Sequence, residues 1–385
     1  MALAALLLSQ PINALHHFRH PAVHTVHRRD SDIPLRIRNQ CNEDIWPAVL
    51  TQSGAGPSRS GFLLVPGNST ELIVGQDWQG RVWARTNCTF DESGNVPPSS
   101  QGKVTCSTGD CGQFLECQGA GNPPATLAEF TLSGHQYQTY YDISLVDGYN
   151  LPVGIIFLAN ETNNANLSDI PPNLTNPICI GSPSLLDPTG SNTDASLVTN
   201  DSFPIPLEQS MSHSLVSSWC PFPLLAFPPE KPGDGVYPYP DDNIQRPLFS
   251  PCYSACAKWN LNRYCCAGPN DQPDKCKPSY YSTQAKKVCP DAYSYAYDDQ
   301  TSTFIIPQGG GFEVVFCPRG RSSNILRTLG DQMHALAGGV SEDILQKAGD
   351  AEYIAQKNDA GPAAEIPLRG SWLALAVLLA WMCIR

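Results

Sequence analysis

Short apolar runs broken by Gly, Pro and Asn dominate the chain, and they carry the two-residue period of strands rather than the period of helices. Such runs recur through the stretch that opens at Leu35 and reaches Trp83, and Gly61–Val65, Glu71–Val74 and Arg81–Thr86 are the predicted strands. Further strands are predicted at Leu127–Leu132, Gln138–Leu145, Val153–Leu158, Thr303–Ile306 and Phe312–Phe316. Many short strands with few long helical patterns predict an all-β sandwich.

Two helical signals interrupt this pattern. Ser250 can cap a helix, Pro251 suits its first position, and Cys252 and Cys256 would then share one face. Ile325, Leu326, Leu329, Met333 and Leu336 fall near helical spacing before the break at Gly338-Gly339. That segment predicts a partly helical stalk over residues 319–358. Between Asn160 and Pro251 the composition shifts to Pro, Asn, Ser and Asp, which predicts an insertion of fixed turns over 160–250. No internal repeat occurs, and Gly309-Gly310-Gly311, lying between strands, predicts a turn rather than a phosphate cradle.

Cysteine usage and the two ends add a compartment. The chain has 385 residues, 41% of them hydrophobic, a net charge of -12 and 15 cysteines spread without the paired spacings that hold zinc. An oxidising environment is expected. Ala2–Leu8 is a short apolar run with small residues near Ala14, so 1–14 is expected to be a signal peptide. Five of the eight histidines (His16, His17, His20, His24, His27) and the pair Arg28-Arg29 follow, predicting a pro-segment over 15–34 with no fixed metal geometry.

At the other end, Trp372–Ile384 is apolar over only 13 residues, short of the roughly 20 needed for a spanning helix. Asp359, Ala360 and Gly361, a spacer Pro362–Ser371 and that tail follow the order of a glycosylphosphatidylinositol signal over 359–385, with Asp359 as the attachment residue. The membrane is then a partner through a lipid anchor. Removal of the tail takes Cys383 and leaves fourteen cysteines, enough for seven bridges. Asn-x-Ser/Thr sequons begin at Asn68, Asn87, Asn160, Asn166, Asn173 and Asn200, and the last four suggest an exposed, glycosylated loop.

Several segments in order carry a resemblance. Gly80–Cys88 reads GRVWARTNC, Gly109–Gly112 reads GDCG, Pro123–Leu132 reads PPATLAEFTL and Tyr141–Pro152 reads YDISLVDGYNLP. Cys265-Cys266, Cys289–Tyr295 (CPDAYSY) and Phe316-Cys317-Pro318 complete the series. Together they resemble the thaumatin-like proteins, the osmotin-like, pathogenesis-related family, across Ile37–Pro318.

The resemblance implies an antiparallel β-sandwich with disulfide-rich loop subdomains and an acidic cleft between them, with the domain spanning 35–318. It implies the pairs Cys41–Cys317, Cys88–Cys106, Cys111–Cys117, Cys256–Cys265 and Cys266–Cys276. Cys220-Pro221-x-x-Leu224 resembles a family motif that would pair Cys220 with Cys289 and leave Cys179 for Cys252; Cys179–Cys289 with Cys220–Cys252 is the open alternative. The family usually carries sixteen cysteines, and Ile305 or Ile306 stands near the expected place of a late one, so one bridge is lost or rewired.

Family members often line the cleft with an arginine, a glutamate and three aspartates. Glu129, Asp142 and Asp147 fall on the matching positions, Arg81 is the arginine with Arg85 second, and Asp298 is the third aspartate with Asp291 as the other candidate. Hydrolysis of a glycoside needs one protonated and one ionised carboxyl about 5 to 9.5 Å apart. Glu129 is therefore expected as general acid and Asp147 as base, with Arg81, Asp142 and Asp298 orienting substrate. Of the aromatics, Trp83, Tyr140, Tyr141 and Tyr149 are candidates for sugar stacking, while Tyr293, Tyr295 and Tyr297 suit loop packing. The implied partner is a cell-wall β-1,3-glucan bound by a monomer at the cell surface, with weak endo-β-1,3-glucanase activity and wall remodelling as the enzymatic reading. A noncatalytic defence or structural wall protein is the alternative. No cofactor, metal or nucleic-acid partner is implied.

Overall fold

A strand with alternating apolar residues buries one face, so two such sheets packed together satisfy each other. The computed structural model describes residues 32–161, 167–186, 202–203, 211–228, 251–298, 301–341 and 343–344. Its strands are β1 (Asp32–Asn39), β2 (Ile45–Ser53), β3 (Ser69–Gly75), β4 (Gln79–Cys88), β5 (Cys106–Thr108) and β6 (Leu127–Thr131). They continue with β7 (Gln138–Ser144), β8 (Val153–Leu158), β9 (Ile178–Cys179), β10 (Phe304–Pro307) and β11 (Gly311–Phe316), and the helices are α1 (Pro172–Thr175), α2 (His213–Ser218), α3 (Ala255–Trp259), α4 (Asn262–Cys265), α5 (Tyr280–Val288) and α6 (Ile325–Leu336).

One sheet has the order β3-β1-β11-β8-β9 and the other β10-β7-β6-β4-β2, with β5 beside β4. The chain is all-β in architecture, as the strand pattern predicts. The pairs are antiparallel except β1 with β11, which run parallel with Asn39 opposite Phe316. The Cys41–Cys317 bridge closes just past that point and ties the two ends of the domain together.

Period-two alternation decides which side chains fill the space between the sheets. Val82 and Ala84 of β4, Ala128 and Phe130 of β6, and Tyr141 and Ile143 of β7 point inward and are buried with Leu35, Ile37, Phe312 and Val314. Phe130 and Tyr141 lie 5.1 Å from the Phe312 ring, an aromatic centre that binds the sheets. The residues between them on β4, β6 and β7 therefore face the other way.

Several boundaries differ from expectation. Gly61–Val65 forms only isolated bridges, at Gly61 and Leu64. β1 begins at Asp32 and pairs Ile33 with Val74, so residues 32–34 belong to the sheet and not to a pro-segment. The helix placed at Ser250 starts later, as α3 (Ala255–Trp259) capped by the Ser254 hydroxyl, because Cys252 is drawn into bridges with Tyr149 and Leu225.

The 160–250 segment is not simply an exposed loop: Leu167, Ile170, Leu174, Ile180, Trp219 and Leu224 are buried in the main core. Asn173 lies in the short helix α1 (Pro172–Thr175) and is 1% exposed, which leaves no room for a glycan there. Asn68 and Asn87 are exposed. Asn166, Asn200 and the side chain of Asn160 lie outside the described residues, as do the proposed signal peptide, most of the pro-segment and the anchor signal with Asp359.

The stalk reading fails over its first part. α6 (Ile325–Leu336) buries Ile325, Leu326, Leu329, Met333 and Leu336 in the main core, and it packs against β10 and α1. The apolar positions at helical spacing are there because the helix has a sheet to cover. Asp291 holds its first turn, accepting from the Ile325 and Leu326 amides at 2.8 and 2.9 Å. The buried Ser322 and Ser323 hydroxyls accept from the amides of Ile180 and Ile178 at 2.8 and 3.0 Å.

Fourteen cysteines form seven bridges among the described residues. Five are the pairs implied by resemblance. The other two take the open alternative, Cys179–Cys289 and Cys220–Cys252. The turn after Cys220 explains it: the Tyr253 amide donates to Leu224 O at 2.7 Å, which lays Cys220 beside Cys252. Cys179, on the edge strand β9, is left facing Cys289 at the end of α5 (Tyr280–Val288).

A core helix and a stalk differ in what truncation does. Met333→Ala is expected to lower the unfolding free energy by about 2–5 kcal/mol, the usual loss for a fully buried Met, whereas a solvent-facing stalk residue would change it little. Chemical denaturation of the two proteins, with disulfides intact, checks this.

Candidate active site

The outward face of the second sheet carries the chemistry. Register places Arg81 of β4 opposite Glu129 of β6, and Glu129 opposite Asp142 of β7. The three thus form one cross-strand row on the face turned away from the core. A neighbouring row places Gln79, Thr131 and Tyr140 in line. Asp147 reaches the same region from the turn that follows β7.

That turn is constrained in detail. The Gly148 amide donates to Leu145 O at 3.0 Å, and Gly148 has a φ of 103°. A Cβ on it would fall 2.4 Å from Cys252 O, so a close approach of two backbones fixes where Asp147 sits. Two residues on, buried Asn150 donates to Ala84 O at 2.8 Å and accepts from the Thr126 amide at 2.9 Å, stapling the turn to β4 and to the entry of β6.

One guanidinium serves two carboxyls. Arg81 Nε lies 3.7 Å from Glu129 and its Nη1 lies 4.0 Å from Asp147, with the three side chains between 29% and 36% exposed. They line an open depression of about 390 Å³ together with Asp142, Ser144, Tyr140 and Tyr293. Desolvation in the floor of this concavity pushes the Glu129 carboxyl up. Arg81 opposes the rise, the Asp147 charge adds to it, and a hydrogen bond with Ser144 lowers it again. Asp147 is also raised, by burial against the pull of Arg81. Both carboxyls therefore keep their protons above the ordinary carboxylate range.

Loops flank this sheet face. On one side Trp83 is fully buried under the 109–125 segment and donates to Gly109 O at 2.8 Å. Arg85 is also fully buried and donates to Trp46 O, Phe114 O and Leu115 O at 3.1, 3.2 and 2.7 Å, so it holds that loop and takes no part in the cleft. Burial lowers its pKa to about 10. On the other side the 291–302 loop brings Tyr293 and Ala296 to the rim.

The structure thus brings Arg81, Glu129, Asp142 and Asp147 together and leaves out both candidates for the third aspartate. Asp298 pairs with Lys286 at 3.1 Å and accepts from the Ser294 amide and the Thr301 hydroxyl, because the loop folds its side chain inward. Asp291 is buried at the start of α6. Of the aromatic candidates, Tyr140 lines the depression, whereas Trp83, Tyr141 and Tyr149 are core residues; Tyr149 bonds Ser182 at 2.8 Å. Tyr293, read as loop packing, instead reaches the rim. Ser144 was legible: it lies two residues from Asp142 on the same strand face. No group of three or more His, Cys, Asp or Glu suited to a metal occurs among the described residues.

Comparison with known proteins gives the family. The Thaumatin family profile matches residues 39–318. Pathogenesis-related protein 5 of Arabidopsis thaliana is 36% identical over 282 residues, 73% of this chain and 89% of that protein. A glucan endo-1,3-beta-glucosidase of Prunus avium is 33% identical over 288 residues, 74% of this chain and 90% of its own. The solved structure of the thaumatin-like xylanase inhibitor TLXI is 33% identical over 32% of this chain and 74% of its own, with a TM-score of 0.26. With a match over most of its length and relatives of this identity across most of both chains, the protein belongs to the thaumatin family.

Proposed function

We propose that the depression binds a β-1,3-glucan and hydrolyses it slowly. The observation that carries this reading is one arginine set between two carboxyls on an open sheet face, both held above the ordinary carboxylate range by burial. The relative named as a glucan endo-1,3-beta-glucosidase supports the substrate class. Glu129 donates its proton to the glycosidic oxygen as the C–O bond breaks. Asp147 takes a proton from the water that attacks the anomeric carbon, and Arg81 favours its ionised form against the opposing effect of burial. Asp142 and Tyr140 position the sugar, the first by accepting from its hydroxyls and the second by stacking.

A second reading is recognition without turnover, in a defence or structural role. The position of Arg81 against both carboxyls favours it, since a guanidinium that neutralises them also suits a site that only binds. Turnover separates the two. Under the hydrolytic reading Glu129→Gln abolishes release of reducing sugar from laminarin while leaving laminarin retention and the unfolding midpoint in place. Wild-type protein that binds laminarin and releases none supports recognition alone.

The pH profile carries a sign. Glu129 must be protonated to act, so activity is lost as pH rises through its raised pKa. Removing Arg81 deletes a favourable partner of the ionised form, which raises that pKa further. Residual activity of Arg81→Met is therefore expected to persist to higher pH than wild type; an upper limb that moves down contradicts the assignment.

We place the protein outside the cell, held by a glycolipid attached near Asp359 and carrying glycans at exposed Asn68 and Asn87. Seven bridges suit an oxidising route. Phosphatidylinositol-specific phospholipase C is expected to release the protein from intact cells. Protein that stays cell-bound after treatment, or is never cell-bound, counts against the anchor.

A further inference from the structure

The small disulfide knot beside the cleft has surface chemistry opposite to the cleft's own. Residues 252–280 carry Lys258, Arg263, Lys275 and Lys277 against only Asp271 and Asp274, within a chain of net charge -12. On this knot Trp259 is 43% and Leu261 44% exposed, although large apolar side chains are normally kept inside. The Trp259 ring lies 5.3 Å from that of Tyr264, and the Arg263 guanidinium sits over the Tyr264 ring at 4.7 Å. Arg263 also donates to the Tyr264 hydroxyl at 3.3 Å, which fixes a group that would otherwise wander.

The platform is rigid and continuous with the cleft wall. Cys256–Cys265 and Cys266–Cys276 close loops of 9 and 10 residues around it. Cys276 Sγ lies 3.9 Å from Arg263 O, so the two bridged loops touch one another. At its base, a Cβ on Gly148 would meet the Ser254 amide at 3.2 Å, so the knot rests on the turn that carries Asp147. Little ordering is left for a ligand to impose, which favours binding.

We propose that this platform is a second polysaccharide site, specific for acidic sugar chains of the uronate type. The indole offers a face for a sugar ring, and the fixed guanidinium offers charge-assisted hydrogen bonds to the ring carboxylates, within a knot whose net charge is positive. Charge sorts the two ligands. Glu129, Asp142 and Asp147 repel a polyanion from the cleft, while the knot attracts it. A bilayer is a poorer occupant: α3 is a five-residue helix, too short to present the apolar face that interfacial insertion needs.

The test measures retention of the full-length secreted protein on polygalacturonate, with laminarin and anionic phosphatidylglycerol vesicles as parallel arms. Trp259→Ala and Arg263→Gln are each expected to weaken polygalacturonate binding by about tenfold, the scale of one lost central contact. Laminarin binding is expected to stay unchanged, Arg263→Lys to fall between wild type and Arg263→Gln, and rising salt to weaken the polygalacturonate interaction. Equal binding by wild type and Arg263→Gln, no binding by wild type, or vesicles as the only arm that responds would each overturn the proposal. Failure of wild type on laminarin alone would remove the cleft reading and leave this one standing.

Discussion

The acidic face is organised by Arg81 standing between Glu129 and Asp147. Three carboxyls gathered in one concavity repel one another, and a cation within 3.7–4.0 Å of two of them offsets that repulsion. The cluster in turn depends on register. Arg81, Glu129 and Asp142 share a face only because β4, β6 and β7 pair as they do; a slip of one residue would turn the row inward and send Val82, Ala128 and Ile143 out to water.

The rest of the molecule holds that register and shapes the walls. The aromatic centre around Phe312 clamps the sheets from behind, and Asn150 ties the ends of the active strands to the turn bearing Asp147. Arg85, bonded to three carbonyls, and Lys286, bonded to Ala292 O, Thr301 O, Ser302 and Asp298, each hold one loop that flanks the acidic sheet face. Lys286 is half-buried and burial lowers its pKa, with Asp298 pulling the other way. α6 completes the body on the outer side, with the Met333 sulfur 3.4 Å from the Ile305 amide. Ile305 or Ile306 stands near where the family resemblance leads one to expect a further cysteine, and α6 packs against the strand that carries both.

Strand positions were legible because alternation is a local property: the runs Arg81–Thr86, Leu127–Leu132, Gln138–Leu145 and Phe312–Phe316 fall on β4, β6, β7 and β11. Glu129, Asp142 and Asp147 were legible only through motif resemblance, and their convergence follows from pairings between strands that no single run reveals. Asp298 illustrates the limit. It lies in a matching tract, yet its direction is set by Lys286, a partner on a helix, and such a partner cannot be read from the tract itself. α6 fails as a stalk for a similar reason, since an apolar stripe does not say whether it faces a sheet or a membrane-proximal surface. Cys220 and Cys179 were exchanged because bridge connectivity is a matter of which loops fold back together.

The account stands most directly on the titration of Glu129. Carbon-detected NMR of the side-chain carboxyls, with and without a laminari-oligosaccharide, reads it residue by residue. Glu129 is expected to titrate above the 4.5 of an unperturbed glutamate, and the sugar is expected to move the Glu129 and Asp147 resonances more than those of any other carboxyl. A Glu129 that titrates at or below its ordinary value, with neither resonance disturbed by the sugar, would contradict it.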